Sequence, residues 1–97
     1  MKIETLFNFT LNDDLGSTFL MTGDYSYLKE KFSPYQEITV GSRFSHDNKE
    51  YEIVRLINVL ISAQSVSWSV EEHEGYRGKP CNANTDVFFE CSEIEKK

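Results

Sequence analysis

The sequence predicts an α+β domain: a small antiparallel sheet of five or six strands with one short helix packed on it. A small β-barrel of SH3-like or OB-like form is the alternative. Three observations predict this. Several segments alternate apolar and polar residues with period two. Turn-forming residues separate them at short intervals. Only one stretch carries helix spacing behind a capping residue. Consecutive strands joined by tight turns imply antiparallel pairing.

Residues 3–11 place Ile3, Thr5, Phe7, Phe9 and Leu11 on one side, the pattern of a half-buried strand. Residues 12–16 (Asn12, Asp13, Asp14, Leu15, Gly16) form a turn, and 17–21 give the second arm of a hairpin. Asp24 is the candidate N-cap of a helix over 25–32 in which Tyr25, Leu28 and Phe32 share a face, with Ser33 and Pro34 ending it. Two turns of helix do not persist alone, so this helix must dock on the sheet. Residues 37–44 are expected to be a strand bent at Gly41, and 46–49 a hairpin turn.

The centre of the chain is the apolar run 51–61. Its alternate sets, Tyr51, Ile53, Arg55, Ile57, Val59, Ile61 and Glu52, Val54, Leu56, Asn58, Leu60, are both mostly apolar. A strand of this kind wants cover on both faces, as in the middle of a sheet. Val54, Ile57 and Ile61 also fit helix spacing, but the β-branched content favours strand. Residues 62–65 are expected to turn the chain. Val66, Trp68 and Val70 then alternate with polar neighbours as a strand with one buried face. Residues 73–85 are polar and glycine-containing, which predicts a long, functional loop. Residues 86–91 return to strand, and 92–97 make a charged tail expected to fray.

Ninety-seven residues fit one domain, residues 1–97, around one core. Seven Phe, five Tyr and one Trp separate the chain from disordered segments. Sixteen acids against ten bases give a formal charge of -6, which argues against direct nucleic-acid or anionic-membrane binding, because phosphates need clustered Lys and Arg. The first residues carry no signal-peptide core, and no stretch has the apolar length of a membrane span. The expectation is a cytoplasmic protein with a native start. A reducing compartment argues against a Cys81–Cys91 disulfide.

The residues that carry chemistry give no catalytic motif. His46, His73, Cys81 and Cys91 lack the close pairs of a zinc site, so neither metal nor other cofactor is expected. Cys81, His73 and Asp86 could form a nucleophilic set only on a rigid scaffold, and the surrounding residues hold no such signature. Asp13 and Asp14 sit at a turn tip, where nothing raises a carboxyl pKa. The segment Gly75, Tyr76, Arg77, Gly78, Lys79 lacks phosphate-loop spacing. The expectation is that the protein is not an enzyme. Phe7, Phe9, Trp68 and Phe88 read as core, while Tyr25, Tyr27, Tyr35 and Tyr76 are better surface anchors.

The acids remain. Glu50 and Glu52 lie two apart on a strand, as do Glu72 and Glu74 if the following strand runs on, with Glu71 beside them; Asp13, Asp14 and Asp47 occupy turns. Carboxylates two apart on one strand face are ~6.6 Å apart at ~3.3 Å per residue. Such a row presents negative charge loosely like a phosphate backbone, although most acidic surfaces serve solubility. In an antiparallel meander the clusters Glu50/Glu52 and Glu71/Glu72/Glu74 are expected to converge at one end of the sheet.

In size, charge, lack of a catalytic motif and these acidic groups, with Asp13/Asp14, the chain resembles the small acidic proteins of bacteriophages that inhibit host defence, in particular anti-CRISPR proteins. The resemblance implies a stoichiometric inhibitor that mimics DNA. Its implied partner is a basic nucleic-acid-binding complex of the Cas type, with a multisubunit type I surveillance complex favoured, and Asp13, Asp14, Asp47, Glu50, Glu52, Glu71, Glu72 and Glu74 facing the basic groups that read nucleic acid. The alternative function is a small β-rich binding or assembly module, such as a phage structural adaptor or immunity-type protein, that uses the 73–85 loop with Tyr76 as its anchor.

Overall fold

The structure is a computed structural model that describes residues 3–13, 16–32 and 38–94. It is a six-stranded mixed sheet curled into a half-barrel, with one short helix. The elements are β1 (Ile3–Asp13), β2 (Gly16–Asp24), α1 (Tyr25–Lys31), β3 (Arg43–His46), β4 (Lys49–Trp68), β5 (Tyr76–Arg77) and β6 (Cys81–Ile94). The strand order is β3-β4-β6-β1-β2-β5.

The opening hairpin forms as the alternation predicts. β1 and β2 pair antiparallel, with one irregularity between Phe9 and Thr10. Phe9 faces Met21 in this register and both are fully buried. Asp24 caps α1: its Oδ1 accepts from the Tyr27 N–H at 2.9 Å, filling one of the open donors of the first turn. Leu28 and Phe32 are buried beneath the helix. Tyr25 is not on that face; it is 55% exposed. Ser33, Pro34, Tyr35, Asp14, Leu15 and the tail residues 95–97 lie outside the described residues.

The β3–β4 hairpin also follows the sequence. Asp47 and Asn48 take φ of 50° and 66°, the left-handed pair that a two-residue hairpin turn needs to match strand twist. The strand expected over 37–44 begins only at Arg43. Before it, Gly41 at φ 96° makes a turn whose N–H donates to the Ile53 carbonyl at 2.8 Å. A left-handed glycine there ends the ladder and redirects it.

Three further sequence expectations change. First, 62–65 does not turn the chain. The segments 51–61 and 66–68 belong to one strand of 20 residues, and both pair with β6. Ser62, Ala63, Gln64 and Ser65 contain no Gly, Pro, Asn or Asp to reverse the backbone, so they bulge out between Ile61 and Val66 instead. Second, the long loop is shorter than 73–85. Tyr76–Arg77 pairs with Thr22–Gly23, and β6 starts at Cys81. Third, the sheet is not wholly antiparallel. β1 pairs parallel with β6, and β2 parallel with β5. The last strand returns beside the first, a long connection that strand-by-strand patterns do not reveal.

A straight strand of 20 residues would span about 66 Å at ~3.3 Å per residue. The longest dimension of the molecule is 46 Å. β4 therefore bends, and its register slips at Ile53/Arg55, Leu56/Asn58 and Ile61/Val66 are where a strand gains curvature.

The core gathers at one end of the sheet. Phe9, Met21, Leu28, Phe32, Phe44, Tyr51, Ile53, Phe89 and Cys91 form one cluster. A smaller cluster of Leu6, Tyr76 and Ala83, flanked by Trp68 and Cys81, sits apart from it. Between them Asn8 is buried and satisfied. It accepts from Thr22 Oγ1 at 2.6 Å and donates toward Asp86 and the Val87 carbonyl. No helix among the described residues is long and apolar enough to cross a membrane.

Candidate functional site

The predicted acidic row is dispersed. Glu50 and Glu52 lie at the start of β4, while Glu71, Glu72 and Glu74 follow its end. With one continuous strand between them, the two groups sit at opposite ends of β4 and do not converge. Glu52 is 3.0 Å from the Arg43 guanidinium, and Lys49 is 3.4 Å from Glu93. Asp47 is exposed and lies 3.4 Å from His46 Nε2. Asp13 ends β1 opposite Gly16, and Asp14 lies outside the described residues. Glu71, Glu72 and Glu74 are exposed on the turns after β4, and none forms an ion pair among the described residues.

Tyr76 is not a surface anchor. It is fully buried. Its hydroxyl donates to the Lys79 carbonyl at 2.6 Å and lies 3.4 Å from Cys81 Sγ. Burial first, then the contact with Cys81, raises its pKa. Trp68 stacks on His73 at 3.9 Å, which covers that end of the barrel, and His73 Nδ1 is buried without a hydrogen-bond partner among the described residues. Tyr27 is half-buried, with Lys31 over its ring at 5.7 Å.

Cys81 and His73 both neighbour Trp68, the first across the β4–β6 register and the second on its ring, but Asp86 stands apart from Cys81. Asp86 pairs with Asn8 and is five residues along β6 from Cys81, about 16 Å at ~3.3 Å per residue. Burial pushes the Cys81 thiol up and Cys91 up to about 12, so both favour the unreactive protonated form. Both are free. Among the described residues no group of three or more His, Cys, Asp or Glu gathers as metal ligands.

Two open grooves of about 300 and 340 Å³ run beside the β3–β4 turn and share Lys31, Ser45 and Glu50. Their linings mix both signs of charge, which selects no one class of ion. His46 lines the second groove and is buried to 8% exposure. Burial pushes its pKa below 6.5; Asp47 pulls it back, and Lys31 and Arg77 push it further down. The neutral imidazole is thus favoured by folding, and the unfolded chain takes the proton first as pH falls. Stability from this group is complete above pH ~6.5 and is lost on acidification toward the folded pKa. The melting temperature of the wild type is therefore expected to fall more between pH 7.5 and 5.5 than that of His46→Gln. Equal slopes would remove His46 as the cause.

The feature that the sequence analysis did not anticipate lies on β4 itself. β3 pairs only with Lys49–Glu52 of β4, and the Ile53 backbone is bonded to Gly41 and Ser42. Beyond Ile53 no described strand lies on that side, so 54–67 is a sheet edge. It is also open on its faces. Val54, Leu56, Ile57, Val59, Leu60, Ile61 and Val66 are all at least 41% exposed, and Ile61 reaches 75%. Monomeric proteins seldom leave a long apolar edge bare. The Val59 N–H is met by Asn58 Oδ1 of its own strand at 2.8 Å, a substitute for a ladder partner. The only charge on this edge is Arg55, bound to Glu90 at 3.2 Å. Two guanidinium hydrogen bonds and the amide of Asn12 hold the Glu90 carboxyl below its ordinary range, Arg55 having the largest effect. A signal was present in the sequence: residues 56–70 carry no charged side chain in a chain where 27% of residues are charged. An apolar run without charge marks either a buried strand or a surface waiting to be covered.

No family model, curated protein or solved structure matches this chain.

Proposed function

We propose that the protein is a non-catalytic binding or assembly module whose interface is the free edge of β4, where a strand from a protein partner extends the sheet. One observation carries this reading: an apolar edge over 54–67 with no described strand on the side away from β6. An added strand would satisfy its backbone groups and cover its side chains, the two terms that drive strand addition. The same assembly role was expected of the 73–85 loop with Tyr76, but a buried Tyr76 has no area to offer, and the role passes to β4.

A second reading is favoured by the exposed turn that carries Glu71, Glu72 and Glu74. In it the protein is a stoichiometric inhibitor whose carboxylates occupy a nucleic-acid-binding surface, that of a Cas complex if the sequence resemblance holds. Such contacts are ion pairs replacing phosphates and weaken steeply with salt.

One experiment separates the readings. Immobilised wild type, Ile61→Lys and a Glu71→Lys/Glu72→Lys/Glu74→Lys variant capture proteins from a host lysate at low and high salt. Edge binding is expected to lose its captured proteins in Ile61→Lys at both salts and to keep them in the charge reversal. Loss in the charge reversal alone, with release by salt, would support the inhibitor and sink the edge reading.

A further inference from the structure

We propose that the strand added to β4 is β4 of a second copy of this chain, paired antiparallel about a two-fold axis near Leu60. This rests on the edge-binding reading above and names its occupant. Four observations point to self-pairing.

The first is charge. Two copies each carrying -6 repel unless they meet on a neutral surface, and 56–70 is the stretch without charge. The second is the position of Arg55. A parallel pair in register would set Arg55 against its own copy. An antiparallel pair with Leu60 opposite itself separates the two arginines by ten residues along the ladder, about 33 Å at ~3.3 Å per residue, and each already has Glu90.

The third is pattern. With Leu60 on the axis, in the slip-free stretch 58–61, Val59 faces Ile61 of the other copy. Around the axis apolar meets apolar, as an isologous contact requires. Placing Val59 on the axis instead sets Asn58 against Leu60. Residues 58–61 pair without slips with Thr85–Phe88 of β6, so this part of the strand is straight enough to take a second neighbour.

The fourth is area. At their observed exposures of 41–75%, the seven apolar residues of the edge leave on the order of 600 Å² of accessible surface, against ~800 Å² per partner in a standard interface. Even fully covered, that is below a standard interface, so a reversible dimer that depends on concentration is expected.

The test is the mass in solution as a function of concentration, by sedimentation equilibrium or light scattering. At about 500 µM the wild type is expected at twice the 11.3 kDa chain mass. Leu60→Lys and Ile61→Lys are expected to weaken the dimer at least tenfold. Ile61 is 75% exposed, so its variant keeps the fold, which far-ultraviolet circular dichroism checks. Leu60→Cys is expected to form a disulfide-linked dimer under mild oxidation, since facing residues of an antiparallel pair lie within disulfide reach. A wild type that stays at one chain mass overturns the proposal, and so does a dimer that Ile61→Lys leaves intact. A monomer whose capture of a foreign protein still fails in Ile61→Lys overturns self-pairing alone; a monomer whose capture is unchanged overturns the edge reading with it.

Discussion

Phe9→Ala is expected to remove about 3–5 kcal/mol of folding stability, the range for deleting a fully buried aromatic ring. Phe9 is fully buried. Its ring lies 5.1 Å from Phe44, 5.8 Å from Phe89 and 6.3 Å from Phe32. These rings come from β1, β3, β6 and the end of α1, so one side chain touches both halves of the sheet and the helix. The hole left by alanine cannot close without moving all of them. A chain of 97 residues is held by roughly 5–15 kcal/mol in all, so the loss is a large share of the total. In urea, with a slope of about 1–3 kcal/mol per molar, the midpoint should fall by roughly 2 M. Tyr25→Ala is the control. Tyr25 shares the helix spacing of Leu28 and Phe32 but is 55% exposed, and its loss should cost no more than about 0.5 kcal/mol. Equal midpoint shifts for the two variants would mean that the aromatic cluster is not the centre of the fold.

The contrast between these residues shows what was legible in the sequence. Local features were. The β1–β2 hairpin, the Asp24 cap and the Asp47–Asn48 turn each depend on residues adjacent in the chain. Alternation placed Phe9 inside, but its strand also buries Leu6 and Asn8 on the opposite face. What local pattern did not carry was who lies next to whom. β6 pairs parallel with β1 across some 80 residues of chain, a non-local contact that neither turn residues nor periodicity encodes. The same gap explains β4. A run apolar on both faces was read as a central strand needing cover, and the run is a strand, but its neighbour β3 is only 4 residues long against its 20. The acidic groups failed for the same reason. Their convergence required 62–65 to turn the chain, and the bulge there sends Glu71, Glu72 and Glu74 to the far end of β4 from Glu50 and Glu52. Tyr76 was read as exposed because it stands among glycines and charges, yet those residues wrap it. The Gly75 carbonyl accepts from Thr22 at 3.0 Å, and the Tyr76 N–H donates to His73.

Tyr76 therefore separates stability from binding. Tyr76→Ala is expected to cost about 3–5 kcal/mol, as for any fully buried aromatic, because it empties the small cluster of Leu6 and Ala83 between Trp68 and Cys81. Tyr76→Phe keeps the ring and removes only the hydroxyl. It leaves the Lys79 carbonyl without its 2.6 Å donor, a loss of about 1–3 kcal/mol if water does not replace it. The two variants should also part at Cys81. On ionisation of Cys81 the Tyr76 hydroxyl can turn its one proton from the Lys79 carbonyl to the sulfur, the one contact that favours the thiolate against burial. Without it, in Tyr76→Phe, the thiol pKa rises further and alkylation at pH 8 should slow. In Tyr76→Ala the cavity admits reagent and alkylation should accelerate. Cys91, buried and with its pKa pushed up to about 12, stays silent in both while the protein is folded. Self-association should follow neither variant, since Tyr76 lies in the 69–80 connection and the free edge is on β4. A Tyr76→Phe protein with wild-type stability and lost association would return the interface to the loop and take it from the strand.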